Sequence, residues 1–129
     1  TGYKKKTIEY NLINNRNVII QDYFSLEETA YLFNSIYCHI ITLDDDWEGI
    51  VLPSKFFGIF KSNKPSLYIG PQKSDIAKLI KRNNLGVAFE NGENPINIYN
   101  SLKLLPKKIN IMTETFDKNP EKFVNFIFE

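Results

Sequence analysis

Short apolar runs alternate with stretches of helical periodicity along the chain, and this alternation is the strongest constraint on its fold. Four apolar runs predict buried strands, at residues 18–20, 38–43, 66–69 and 87–89. Strands that alternate with helices are typical of parallel βαβ units. Because such crossovers are right-handed, we expect helices on both faces of one sheet. The sequence therefore predicts an α/β fold with a parallel sheet.

Polar caps and prolines mark the predicted helices. A first helix is expected over residues 4–14, and Ser25 with Glu28 forms a capping box that opens a second. Pro53 suits the first turn of a third helix, Ser74 or a neighbour caps a fourth, and residues 95–129 show only helical patterns, broken near Pro106 and Pro120. The predicted inward faces are Leu26, Ala30, Phe33 and Tyr37, then Phe56, Ile59 and Phe60, then Ile76, Leu79 and Ile80.

Length and composition narrow the class of protein. The 129 residues fit one domain, spanning 1–129, and a net charge of +1 argues against broad nucleic-acid binding. No apolar run approaches the length of a membrane helix, and no signal peptide is evident. The chain begins with Thr1 rather than Met, which suggests a piece of a longer protein.

The richest candidate site follows the second apolar run, because ligands of open parallel sheets bind beyond the carboxyl ends of strands. Gly49 permits close approach of backbone to a ligand, and the helix that follows Pro53 offers unpaired N–H groups to a phosphate. Ser54 adds a hydroxyl and Lys55 a positive charge, whereas Glu48 suits sugar hydroxyls. This combination describes a nucleotide-sugar site, and the alternative is an ordinary strand-to-helix turn with a capping acid.

Other residues near this turn have simpler interpretations. Residues 44–46 are three aspartates, which suit Mg²⁺ or Mn²⁺ but also suit a solvated acidic turn. His39 and Cys38, the only residues of their types, are expected in the core, which argues against zinc and against Ser–His or Cys–His catalysis. Trp47 is interpreted either as a packing residue at the sheet edge or as a residue that stacks on a sugar.

Several motifs in order resemble the donor domain of group 1, family 4-like glycosyltransferases. They are CHIITL at 38–43, WEGIVLPSKFFGI at 47–59, NKP at 63–65 and IGP at 69–71. The resemblance spans roughly residues 1–92 and implies the C-terminal domain of the two-Rossmann-domain (GT-B) fold. It implies a Rossmann-like sheet that is incomplete at its N-terminal end and is followed by a helical tail.

The resemblance also implies roles for individual residues. Glu48 matches the first glutamate of the family's paired-glutamate motif and is implied to lie near the transferred sugar. Gly49 and Ile50 would present backbone N–H groups there, and Ser54 and Lys55 would lie beside the diphosphate. Tyr23 and Phe24 would lie near the nucleotide base. The second glutamate of the pair falls at Gly58, so ribose recognition by that residue is absent.

The implied activity is retaining transfer of a hexose from a nucleoside diphosphate to an acceptor hydroxyl, without cofactor or metal. The partners are then a nucleotide sugar and a saccharide or lipid-linked acceptor, the latter bound mainly by an N-terminal domain outside this chain. We expect the chain alone to be inactive, and we expect its exposed tail surface to pair with another copy.

Family context implies bacterial surface-polysaccharide or lipopolysaccharide synthesis in the cytoplasm, peripherally on the inner face of the membrane. The alternatives are a non-catalytic nucleotide-sugar-binding domain, a nucleotide-sugar epimerase of similar architecture, and a metal-dependent transferase that uses residues 44–46.

Overall fold

A three-stranded parallel sheet flanked by helices forms the centre of the chain. The structure is a computed structural model, and it describes residues 10, 12, 14–20, 24–49 and 55–109. The strands are β1 (His39–Thr42), β2 (Ser66–Ile69) and β3 (Gly86–Phe89), in the order β1-β2-β3. The helices are α1 (Leu26–Ser35), α2 (Lys55–Lys61), α3 (Asp75–Arg82) and α4 (Pro95–Lys103). The predicted α/β class with a parallel sheet is confirmed.

One face of the sheet carries the hydrophobic core. Ile41 pairs with Tyr68 and Tyr68 with Ala88, so these three side chains form one row across the strands. The predicted inward faces of α2 and α3 pack on this row, as expected when both right-handed crossovers wind in the same direction. The buried helical residues are Phe56, Ile59, Phe60, Ile76, Ala77, Leu79 and Ile80.

The edge strand β1 is buried on one side only. Burial alternates along it, with His39 and Ile41 buried and Ile40 67% exposed. A continuous apolar run such as 38–43 is expected in a strand covered on both faces, and this expectation is wrong for β1. An alternating pattern is typical of a strand with one solvated face.

The predicted strand at 18–20 does not form. None of these three residues is in a strand, and Ile19 is 84% exposed. β-branched residues favour strands only where a pleated, half-buried surface receives them. The run therefore contributes no strand to the sheet that the structure describes.

Helix α1 is stabilised by a cap at its N-terminus and by the packing of one aromatic side chain against the core. The predicted capping box is present: Ser25 Oγ accepts from Glu28 N–H, and Glu28 accepts from Ser25 N–H. Phe33 packs against the core, but Leu26 is 90% exposed, so the predicted inward face of this helix is only partly correct. The predicted helix over 4–14 lies mostly outside the described residues.

Helix α4 begins with Pro95 in its first turn, capped by Asn94, and ends before Pro106, as predicted. The rest of the tail, residues 110–129, lies outside the described residues. Within the described part of the chain, no helix has the length and apolar character needed to cross a membrane.

Candidate functional site

A polar cavity of about 320 Å³ lies at the carboxyl ends of the three strands. Loops that follow each strand contribute to it, as expected for the ligand site of an open parallel sheet. The loop after β1 supplies two carboxylates, the turn after β2 supplies four residues, and the loop after β3 supplies a carboxylate and an amide. The lining residues are Asp45, Glu48, Gly70, Pro71, Gln72, Lys73, Glu90 and Asn91.

Glu48, the predicted sugar-binding carboxylate, is exposed and lines this cavity. It follows a single 3₁₀ turn, Asp45–Trp47, which Asp44 caps with its side chain. Gly49 lies next to it with a φ of +74°, and no atom of the described residues lies within 4 Å of the position a Cβ would take.

Asn91 connects the outer two strand ends across β2. Its Nδ2 donates to the Leu43 carbonyl at 3.1 Å and to Asp45 Oδ1 at 2.9 Å. Because both amide hydrogens are used, the remaining capacity of this side chain is that of an acceptor. Asn91 thus fixes the acidic loop and leaves an acceptor at the cavity.

The turn after β2 is tightly built. Gly70 N–H donates to the Phe89 carbonyl at 2.9 Å, and the side chain of Gln72 donates to the Gly70 carbonyl at 2.8 Å. Beneath the turn, burial raises the pKa of Tyr68, with further contributions from the negative charges of Glu48 and Asp45, while a hydrogen bond from Ser74 opposes the shift. The Tyr68 hydroxyl therefore stays protonated and able to donate.

The electrostatic character of the cavity is acidic. Its described lining carries three carboxylates, on Asp45, Glu48 and Glu90, against one lysine, Lys73. Carboxylates accept hydrogen bonds from hydroxyls, whereas they repel anions. In the part of the chain that the structure describes, no three His, Cys, Asp or Glu side chains are placed to hold a metal ion.

Of the remaining predicted site residues, Phe24 lies away from this cavity. Phe24 lines a separate apolar groove with Glu27, Glu28, Tyr31 and Leu32. Tyr23, Ile50 and Ser54 lie outside the described residues, as does Pro53. Lys55 is the first residue of α2, and the structure describes only its backbone.

Gly58, where the resemblance places the second glutamate, lies on α2 at the contact with α1. A Cβ at this position would lie 2.9 Å from Phe33 Cε2. The space that a larger side chain would need is thus occupied by an aromatic ring. Gly58 thus serves the packing of α1 against α2.

His39 is buried as the sequence predicted, whereas Cys38 is not part of the buried core. His39 is buried, with Nε2 2.9 Å from Ser62 Oγ and its ring edge-on to Phe33. Because the Ser62 hydroxyl donates to the Ile59 carbonyl, it accepts from His39 Nε2–H. Cys38 is half-buried, and burial raises the pKa of its thiol, so it is a poor nucleophile at neutral pH.

Several lining residues were not singled out from the sequence, namely Gln72, Lys73, Glu90 and Asn91, and Asp45 was considered only as part of the acidic run at 44–46. The available signal was that the carboxyl ends of parallel strands meet at one edge, which identifies the loops but not the side chains that turn inward.

Comparison with protein-family models, with curated proteins and with solved structures found no match for this chain.

Proposed function

We propose that this chain is the donor domain of a two-domain glycosyltransferase and binds a nucleoside-diphosphate sugar. The observation that carries the proposal is the position of Glu48: an exposed carboxylate in a polar cavity at the carboxyl edge of a parallel sheet. The motifs around this residue independently resemble the donor domain of family 4-like glycosyltransferases.

The hydrogen-bond acceptors that line the cavity support the proposal that the sugar of the donor binds there. Glu48, Asp45 and Glu90 present acceptors, and Asn91 adds another because its amide hydrogens are already used. A sugar ring presents several hydroxyl donors, which acceptors of this kind are suited to bind. Glu48 orients these hydroxyls in the proposed complex.

Other residues are proposed to contact the diphosphate and the base of the donor. Ile50, Ser54 and Lys55 are proposed on the diphosphate side, with Gly49 beside the sugar and Tyr23 and Phe24 towards the base. Donors aimed at a leaving diphosphate stabilise the charge that develops on it in the transition state. In the reaction, the bond from C1 to the diphosphate oxygen breaks, C1 bonds to the acceptor oxygen, and the hydroxyl proton is released.

The acceptor side belongs to the proposed partner domain, so turnover requires the full-length enzyme. By its resemblance, the enzyme works in bacterial surface-polysaccharide synthesis, on a saccharide or lipid-linked acceptor at the cytoplasmic face of the membrane. The proposed mechanism needs no cofactor or metal.

Titration calorimetry of the full-length protein with UDP-glucose, GDP-mannose and ADP-glucose tests the proposal. We expect one nucleotide family to bind, and we expect Glu48→Gln to weaken that binding by about tenfold or more, the effect of losing hydrogen bonds to a charged acceptor. Asp46→Asn is the matched control, because Asp46 is exposed in the same loop but does not line the cavity. Equal affinities of the Glu48→Gln variant and the wild type would remove Glu48 from the site.

Gly58 specifically favours a second candidate, a non-catalytic nucleotide-sugar-binding domain, because the second glutamate has no space against Phe33. Sugar transfer by the full-length protein to any saccharide or lipid-linked acceptor would exclude it. An altered sugar released without acceptor would instead identify an epimerase.

A further inference from the structure

Tyr68 carries a hydroxyl at the centre of the core, where a phenylalanine would fill almost the same volume. Its side chain is 0% exposed and stands between Ile41 and Ala88 in the buried row of the sheet. A buried hydroxyl destabilises a fold unless it is hydrogen-bonded. The partners of this hydroxyl therefore indicate what it contributes.

A directed chain of hydrogen bonds runs from the start of α3 through Tyr68 to the turn after β2. Ala77 N–H donates to Ser74 Oγ at 3.3 Å, and the Ser74 hydroxyl donates to Tyr68 Oη at 2.8 Å. The Tyr68 hydroxyl donates in turn to the Pro71 carbonyl, a longer contact of 3.4 Å. Each hydroxyl donates once and accepts once, so the direction of the chain is fixed.

The backbone at Gly70 lies directly on this hydroxyl. A Cβ at Gly70 would stand 2.7 Å from Tyr68 Oη and 2.7 Å from the Leu43 carbonyl oxygen, and its φ is +159°. There is room for glycine alone between the hydroxyl below and the end of β1. The Tyr68 hydroxyl thus helps to fix the position of the turn after β2 above the carboxyl ends of the strands.

We propose that Tyr68 is a positioning residue for the polar cavity, whose hydroxyl, together with Ser74, holds residues 70–73 in the geometry that binds ligand. These four residues form one wall of the cavity. The inference rests on the proposed function, since it concerns how the same site is held. Without the hydroxyl, the wall has to be ordered by the ligand, and the affinity falls accordingly.

The test compares two tyrosine hydroxyls in the full-length protein. Tyr68→Phe removes the hydroxyl beneath the cavity. Tyr37→Phe removes a hydroxyl that donates to the Leu105 carbonyl at 2.7 Å, and Tyr37 precedes β1 at the opposite edge of the sheet. With UDP-glucose, GDP-mannose and ADP-glucose as probes in calorimetry, we expect Tyr68→Phe to weaken binding roughly five- to tenfold, the effect of one hydrogen bond. Tyr37→Phe should change the affinity less than twofold.

A second readout separates positioning from general stability. Hydrogen exchange at the amides of Gly70 and Ser74, which donate to the Phe89 and Pro71 carbonyls, should accelerate in Tyr68→Phe and stay unchanged in Tyr37→Phe. If Tyr68→Phe does not fold, Ser74→Ala replaces it, with Ser74→Thr as the conservative variant that should restore both affinity and protection.

The outcomes distinguish the two proposals. Wild-type protein that binds none of the three probes overturns the proposed function and this inference with it. Wild-type binding that Tyr68→Phe leaves unchanged, or that both tyrosine variants weaken equally, overturns the positioning role alone.

Discussion

The close approach of the β2 backbone to Gly86 is predicted to make Gly86→Ala severely destabilising. Gly86 opens β3 and pairs with Ser66 of β2, with a φ of +149°. A Cβ on Gly86 would overlap the Ser66 carbonyl oxygen, far inside van der Waals contact. The obstructing atoms are backbone, so no side-chain rotation relieves the overlap.

Two effects add at this position. A non-glycine residue in this backbone region is strained by about 1–3 kcal/mol. Forcing a methyl group into a packed contact adds about 1–3 kcal/mol, because the strands have to separate. The sum, about 2–6 kcal/mol, is a large part of the roughly 5–15 kcal/mol by which small domains are stable.

Urea denaturation followed by far-ultraviolet circular dichroism measures this loss. Gly92→Ala is the matched control, because Gly92 also has a positive φ, +85°, but no atom of the described part of the chain lies within 4 Å of its Cβ position. That control carries only the conformational strain, about 1–2 kcal/mol. Equal losses for the two variants, or a loss below about 1 kcal/mol for Gly86→Ala, would refute the strand contact as the cause.

Two further predictions concern charge. Burial lowers the pKa of His39 from 6.5, an effect to which the positive charge of Lys64 adds and which a hydrogen bond to the Phe33 backbone opposes. As the pH is lowered, the unfolded chain therefore binds a proton at His39 before the folded chain does, so the contribution to stability is full above about pH 6.5 and is lost below it. Between pH 7.5 and pH 5.5, the urea midpoint should fall less for His39→Asn than for the wild type. Identical pH dependences of the two proteins would contradict this prediction. If the wild type binds UDP-glucose, its affinity for UDP-glucuronate should be lower by roughly threefold or more at 0.15 M salt, because the carboxylates of the cavity repel the added negative charge. In calorimetry, Glu90→Gln should reduce this difference in affinity. Tighter binding of UDP-glucuronate than of UDP-glucose would contradict the acidic character of the cavity.

The parts of the fold that local chemistry determines were predictable from the sequence. The strand at 66–69, the cap at Ser74 and the buried faces of α2 and α3 all follow from patterns within a few residues of one another. These patterns agree with the tertiary structure because each helix buries its whole apolar stripe against the same row of the sheet.

Residues 18–20 show where such patterns do not suffice. A short β-branched run is compatible with a strand, but whether it pairs depends on a neighbour that the local sequence does not reveal. The same holds for Leu26, which has the spacing of an inward-facing residue yet is 90% exposed.

The candidate site was predictable as a location and only partly as a set of side chains. Glu48 stood out because its neighbours form a distinctive turn, and the structure places it at the cavity. Asn91 is 48 residues from Leu43, the carbonyl it contacts, and no local pattern links the two. Contacts of this kind arise only once the sheet brings the strand ends together.

The polarity of the cavity constrains how a nucleotide sugar is able to bind. A diphosphate carries negative charge, and the carboxylates of Asp45, Glu48 and Glu90 would repel it at close range. The proposed complex therefore requires the sugar to enter the cavity and the diphosphate to remain outside it. The reverse orientation would place the anion among three carboxylates and leave the sugar hydroxyls without the acceptors that the cavity provides.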